Sequence, residues 1–287
     1  MNIGGTLKKI REAKNLTQKE VSEDILSLSF YNKIENDKNS LTIELFFKIL
    51  NRLNVDFDEF FFIHNNYSKS IYDNYWYKIY SFYYLSDSNS LELLINSLSL
   101  DYKKTKNIQF YQLSQIAHVV SCRIKGIPPK EKVVNEICTY LISIESWTKH
   151  EISLFISTMD VFNFDILLIL SEKILKTLRN YSKNQDYAHF MNGALINLTV
   201  ICLESDKIND SHYFLNLLKS QNLDEKNLYE KNVINFLEGI YRLSTGDRKG
   251  EERAKKSIEI FEYLDMKEHA SKYELFLKKI KNQIDLN

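Results

Sequence analysis

Apolar residues recur at three- and four-residue spacing along this 287-residue chain, the period of helices that turn one face to a core. In the first segment Leu7, Ile10 and Ala13 mark one helix, ended near "KNL". Thr17 with Glu20 three residues on is a capping box, in which hydroxyl and carboxylate each satisfy a free amide. It starts the short helix "QKEVSEDI". Ser27 caps a third helix, with Leu26 and Tyr31 placed as a hydrophobic staple. Thr42 caps "IELFFKILNRLNV", where Ile43, Phe46, Phe47, Leu50 and Leu53 share a side. "DFDEFFFI" makes a fifth helix, and "HNNYSKS" reads as a linker. These spacings predict a compact five-helix domain over residues 1–66.

From Ile71 about eleven amphipathic helices follow, separated by a few polar residues, with a break at Pro128 and Pro129. Helix pairs in series predict an α-solenoid over residues 67–287. Its units are similar to tetratricopeptide hairpins, best in "FLEGIYRLSTGDRKGEERAKKSIEIFEYL". The expected fold is therefore all-α: five helices, then tetratricopeptide-like helix pairs.

Composition agrees. Seven glycines and two prolines are too few for a strand-rich fold with frequent turns. The 44% apolar content is enough for two cores. The formal net charge is zero, so no global field draws the chain to nucleic acid or membrane. Apolar runs such as "FDILLIL" fall short of the roughly 20 residues a membrane span needs. The first residues lack a signal peptide's apolar stretch, so a cytoplasmic protein is expected. Cys122, Cys138 and Cys202, widely spaced and without CxxC, read as buried thiols. The six histidines form no metal-binding spacing, and no phosphate loop, nucleophile elbow or Cys/His arrangement occurs. No cofactor, metal or enzyme activity is expected.

The stretches "LKKIREAKNLTQKEVSEDI" and "LSFYNKIENDKNSLTIELFFKILNRLNVDFDEFF" resemble the helix-turn-helix domain of Xre/Cro-type regulators. The resemblance implies that Arg11 pairs with Glu35, and that Thr17 and Gln18 sit at the phosphate backbone of an operator duplex. The family often has Gly where Asp37 stands, which makes the following turn less comfortable here. Basic and acidic residues nearly balance over residues 1–38, so one domain gains little from counterion release. A homodimer placing two recognition helices in successive major grooves is favoured.

A helical wheel over "LSLSFYNKIEN" separates its two aromatics. Tyr31 and Ile34 define the inward face; Ser29 points away, flanked by Asn32 and Lys33. Asn pairs with adenine, and Lys meets guanine or phosphate. Phe30 lies at the boundary, placed to touch a thymine methyl or cover the domain edge, and Lys38 follows as a further DNA-facing cation.

The chain as a whole resembles the Rgg/GadR/MutR regulators. The likeness rests on the segment just described and on "SWTKHEISLFISTMDVF", "ILLILSEKILKT", "GALINLTVICLE" and "DSHYFLNLLKS". It implies a dimeric receptor for a short signalling peptide that switches transcription, as in quorum sensing. A peptide groove needs apolar pockets and amide side chains that hold the peptide backbone. Asn192, Asn197, Asn232 and Asn235, with Tyr229, are the candidates, since Asn on apolar helices lowers helix propensity without adding packing. The same Asn residues serve equally to bond neighbouring helices. Arg123, Lys149 and Arg179 are candidate partners for an acidic peptide residue. Two other readings stay open: a ligand-independent phage-type repressor, and a repeat scaffold that binds and inhibits a protein partner.

Overall fold

The computed structural model describes residues 2–181, 185–221 and 223–286, and its elements among these are helical. The chain divides into two compact units, Met1–Leu85 and Ser86–Asn287.

The first unit holds α1 (Ile3–Ala13), α2 (Gln18–Ser22), α3 (Leu28–Glu35), α4 (Ile43–Leu53), α5 (Phe57–His64) and α6 (Ile71–Tyr84). Each of the first five begins where a side chain caps it: Asn2, Thr17, Ser27, Thr42 and Asp56 accept from amides of the first turn. Both halves of the Thr17–Glu20 box form: Thr17 Oγ1 accepts from Glu20 N at 3.2 Å, and the Glu20 carboxylate accepts from Thr17 N at 2.7 Å. Leu7, Ile10, Val21, Tyr31, Ile34, Ile49, Leu50, Leu53 and Phe60 pack as one core. Ala13, Ile43 and Phe47 do not join it as their spacing predicts; all three are exposed. The apolar arc of α4 is wider than the core face it serves.

The polar linker at 64–70 suggests a boundary near 66/67, whereas the compact unit extends to Leu85 and includes the aromatic helix α6. Tyr67 packs edge-on against Phe62 and lies under Lys9 Nζ, so the linker itself is tied to the five helices. Of α6, only Ile79 is buried.

The second unit runs α7 (Ser88–Thr105), α8 (Ile108–Lys125), α9 (Glu131–Ser143), α10 (Lys149–Thr158), a 3-10 turn (Met159–Val161), α11 (Phe164–Asn180), α12 (Gln185–Glu204), α13 (Ile208–Lys219), α14 (Leu228–Ser244), α15 (Lys249–Tyr263) and α16 (Lys267–Leu286). Neighbours α7/α8, α12/α13 and α14/α15 pack as hairpins, and α8, α10, α12, α14 and α16 touch one after the next. This is a helical-repeat solenoid with the even-numbered helices in one layer. The α14/α15 hairpin, the best sequence match, crosses at minimal distance. A Cβ on Gly250 would stand 2.3 Å from the Gly239 carbonyl oxygen, so both positions require glycine.

Helix α8 is buried almost all round, polar residues included. Tyr111 and Gln115 both donate to Glu136 of α9, at 2.6 and 2.8 Å, and Gln112 meets His150 of α10 at 2.5 Å. Tyr140 of α9 donates to Glu151 of α10 at 2.6 Å. Periodicity conceals this polar seam, because its partners lie on other helices.

Candidate nucleic-acid interface

Helices α2 and α3 carry the site. The wheel orientation of α3 holds: Tyr31 is fully buried, Ile34 and Glu35 are buried, and Ser29, Asn32 and Lys33 are exposed. Phe30 is half-buried against the core edge. Lys38 is exposed just beyond the helix, its amide closing the turn on the Lys33 carbonyl at 2.8 Å. Leu28, not singled out by the pattern, is 48% exposed at the start of α3. It lies one turn before Asn32, so it adds apolar surface to the same face.

Arg11 and Glu35 form the expected pair. Nε donates to Oε1 at 2.6 Å and an Nη to Oε2 at 3.0 Å, a bidentate clamp with a fully buried carboxylate. Arg11 also donates to the Leu16 carbonyl at 2.8 Å, which fixes the turn into α2. Burial alone raises the Glu35 carboxyl, but hydrogen bonds from Arg11 and Gln18 outweigh it and hold the group below the usual carboxylate range. Burial pushes the neighbouring Tyr31 hydroxyl well up.

Gln18 does more than its position at the start of α2 suggests. Its Nε2 donates to Glu35 at 2.7 Å, and its Oε1 accepts from Asn32 Nδ2 at 3.1 Å. The chain Arg11, Glu35, Gln18, Asn32 thus links the buried ion pair to a candidate base-reading amide. Thr17 is committed to its cap, its hydroxyl also donating to Glu20 at 2.7 Å. Arg52, which the sequence gives no reason to select, donates to the carbonyls of Glu20 and Glu23 at 2.7 and 3.0 Å and holds α4 to the end of α2.

Asp37 takes a left-handed backbone, φ 53°, where glycine is the easier residue. The side chain compensates: its Oδ1 accepts from the Gly4 amide at 3.1 Å at the start of α1. Gly4 is required there, since a Cβ would fall 1.8 Å from the Ile34 carbonyl oxygen.

In the second unit the five candidate peptide contacts separate. Asn232 is buried and its Nδ2 donates to the Ser257 carbonyl of α15 at 2.9 Å. Asn235 accepts from Arg253 of α15 at 2.8 Å. The Tyr229 hydroxyl lies 3.4 Å from that of Tyr273 on α16. These three hold α14 to its neighbours. Asn192 is buried, while Asn197 lies on the part-exposed stripe of α12 with Phe190, Gly193 and Ile201. Nothing lies within 4 Å of where a Cβ on Gly193 would stand, so this stripe borders open space. Arg123 is engaged by Asp160 and the Ser157 carbonyl; Lys149 and Arg179 are exposed. Burial, with Lys130 and Lys125 nearby, lowers His118, and burial lowers His150 despite adjacent Glu151.

No group of three His, Cys, Asp or Glu among the described residues is placed to hold a metal, and no described helix is long and apolar enough to cross a membrane. Cys122 and Cys202 are buried, Cys138 half-buried, and burial raises all three thiols.

The model of the C-terminal domain of the HTH-type transcriptional regulator Rgg matches residues 92–275, and a helix-turn-helix model matches residues 7–60. A candidate transcriptional regulator from Listeria monocytogenes EGD-e superposes with a TM-score of 0.86 at 24% identity, over 99% of this chain and 98% of its own. The Streptococcus dysgalactiae SHP pheromone receptor Rgg2 superposes at 0.77 with 22% identity, over 96% and 99%. PrgX in complex with cCF10 superposes at 0.70 with 19% identity, over 98% and 100%.

Proposed function

Because the chain belongs to the Rgg family of helix-turn-helix transcriptional regulators, we propose that it acts in the cytoplasm as a homodimer on a double-stranded operator and is switched by a short signalling peptide. The observation that carries the DNA reading is the exposed face of α3. Ser29, Asn32 and Lys33 point outward from a helix whose opposite face, Tyr31 and Ile34, is locked in the core. Leu28 and Phe30 flank them and offer apolar surface to thymine methyls, and in this reading Thr17, Gln18 and Lys38 serve the phosphate backbone from the start of α2 and the end of α3.

Two observations support the remaining parts. Ile43 and Phe57, each at least 40% exposed, line a groove of about 630 Å³ on the first unit, and exposed Phe47 packs on Phe57 beside it, which together offer apolar surface to a second copy. The open stripe of α12, with Asn197 and Gly193, gives a peptide an amide partner and room for its backbone. Rgg2 is described as a pheromone receptor, and PrgX has been solved in complex with cCF10. A peptide that binds one arrangement of the dimer better shifts the population toward it only by the ratio of its affinities.

The test is fluorescence anisotropy of the full chain on the duplex upstream of its own and neighbouring genes, with and without short peptides encoded nearby. A peptide that changes duplex affinity, and no longer does so in Asn197→Ala, supports the switch. Duplex binding that no peptide alters favours the phage-type repressor, and absence of duplex binding at low salt favours the scaffold.

A further inference from the structure

We propose that Lys219, Arg242 and Arg253, gathered around the single carboxylate of Glu238, form a binding site for an anionic group, a carboxylate or a phosphate, where α13, α14 and α15 meet. Lys219 ends α13, Glu238 and Arg242 stand one turn apart on α14, and Arg253 projects from α15. Their nitrogens lie 3.4, 3.2 and 3.0 Å from Glu238 oxygens. Three cations facing one acid leave two positive charges in formal excess. Other clusters on the chain are closer to balance: Arg11 lies against Glu35 and Glu12, and Lys255 and Lys281 share Glu251.

Three features make the excess a site. First, the cations are open to a ligand, with side chains 38 to 44% exposed, while Glu238 beneath them is 14% exposed. An anion can arrive from solvent and meet charges already part-desolvated, where attraction is stronger than in bulk water. Second, the Nε of Arg253 is buried and has no partner among the described residues, although an Nη of the same guanidinium serves Glu238 and Asn235. An unpaired buried N–H is costly, so Glu238 and Asn235 leave the Arg253 guanidinium incompletely satisfied. Third, two of the three cations are arginines, whose planar forks match the paired oxygens of carboxylate and phosphate. Burial raises the Glu238 carboxyl, yet Arg253, Lys219 and Arg242 together lower it, so Glu238 remains charged and competes with the ligand.

That competition provides the test. The full chain is titrated with inorganic phosphate, and separately with N-acetyl-dialanine bearing either a free carboxylate or a terminal amide. Ionic strength is held constant with chloride, and thermal unfolding and calorimetry are the readouts. The site predicts a saturable rise in Tm with phosphate or with the free carboxylate, and none with the amide; which of the two acts identifies the source. Arg253→Gln and the more exposed Arg242→Gln each weaken binding by roughly tenfold or more. Glu238→Gln tightens it, because it removes the competing carboxylate. A purely structural cluster gives the opposite: Glu238→Gln lowers Tm without gaining affinity, and no probe saturates in either protein. That result overturns the proposal and leaves the DNA-binding and signalling-peptide readings untouched.

Discussion

Gln18 donates its side-chain amide to Glu35 at 2.7 Å, the same carboxylate that Arg11 clamps from the other side. One buried acid therefore sets the angle between α1 and α3 and also orients the residue that holds Asn32. Removing that charge strands Arg11, which is buried. Breaking a buried pair on one side costs about 3–5 kcal/mol. Glu35→Gln is therefore expected to lower the unfolding free energy of the first unit by that order and to weaken duplex binding. Urea unfolding followed by circular dichroism measures the first effect. Gln18→Ala, which leaves the ion pair intact, is expected to weaken duplex binding with a much smaller loss of stability.

The same pair gives a pH dependence. Glu35 is held below its ordinary value of 4.5, so its contribution to stability is fully present above that value. It is lost as pH falls through the lower folded-state value. Stability measured from pH 6 downward should decline in the wild type more than in Glu35→Gln, and the difference between the two curves should shrink toward the acid end. Parallel curves would show that the ion pair contributes no such linkage.

Tyr31 and Phe30 are adjacent but not equivalent. Tyr31 is fully buried, and Tyr31→Ala should cost about 3–5 kcal/mol, as for other large aromatic truncations. Phe30 is half-buried at the edge, so Phe30→Ala should leave the domain folded while altering preference among operator variants. A Tyr31→Ala protein with undiminished unfolding free energy would contradict the orientation of α3.

Two glycines on the repeat domain predict opposite signs. Gly250→Ala drives a methyl into the Gly239 carbonyl, and prying α14 from α15 should cost about 1–3 kcal/mol. Gly193→Ala meets open space inside α12 and should stabilise by about 0.5–1 kcal/mol through its helix preference. Thermal unfolding of both variants against the wild type separates them.

Local chemistry was legible in the sequence wherever the partners lie within a turn or two. Thr17 with Glu20, the Ser27 cap and the inward face of Tyr31 and Ile34 all stand as their spacing predicts. The Arg11–Glu35 pair came from family resemblance, not from spacing. What spacing misses depends on which neighbour a helix face meets. Asn232 and Asn235 have the composition of ligand-binding amides, yet they bond α15, because α14 turns that face to its hairpin partner. Ile43 and Phe47 continue the apolar stripe of α4 but outlie the five-helix core. Asp37 occupies a glycine-like turn because it caps α1, a partner 33 residues away that no local pattern reveals.

The role of α3 is tested most directly by the affinity of the full chain for the duplex upstream of its own gene, set beside a scrambled duplex at the same salt. Binding to the former is expected to be tighter. Asn32→Ala is expected to remove about 1–3 kcal/mol of that preference with little effect on the scrambled duplex, its circular dichroism unchanged. Equal affinity for both duplexes, or a preference that survives Asn32→Ala together with Ser29→Ala and Lys33→Ala, would contradict the assignment of α3 as the reading helix.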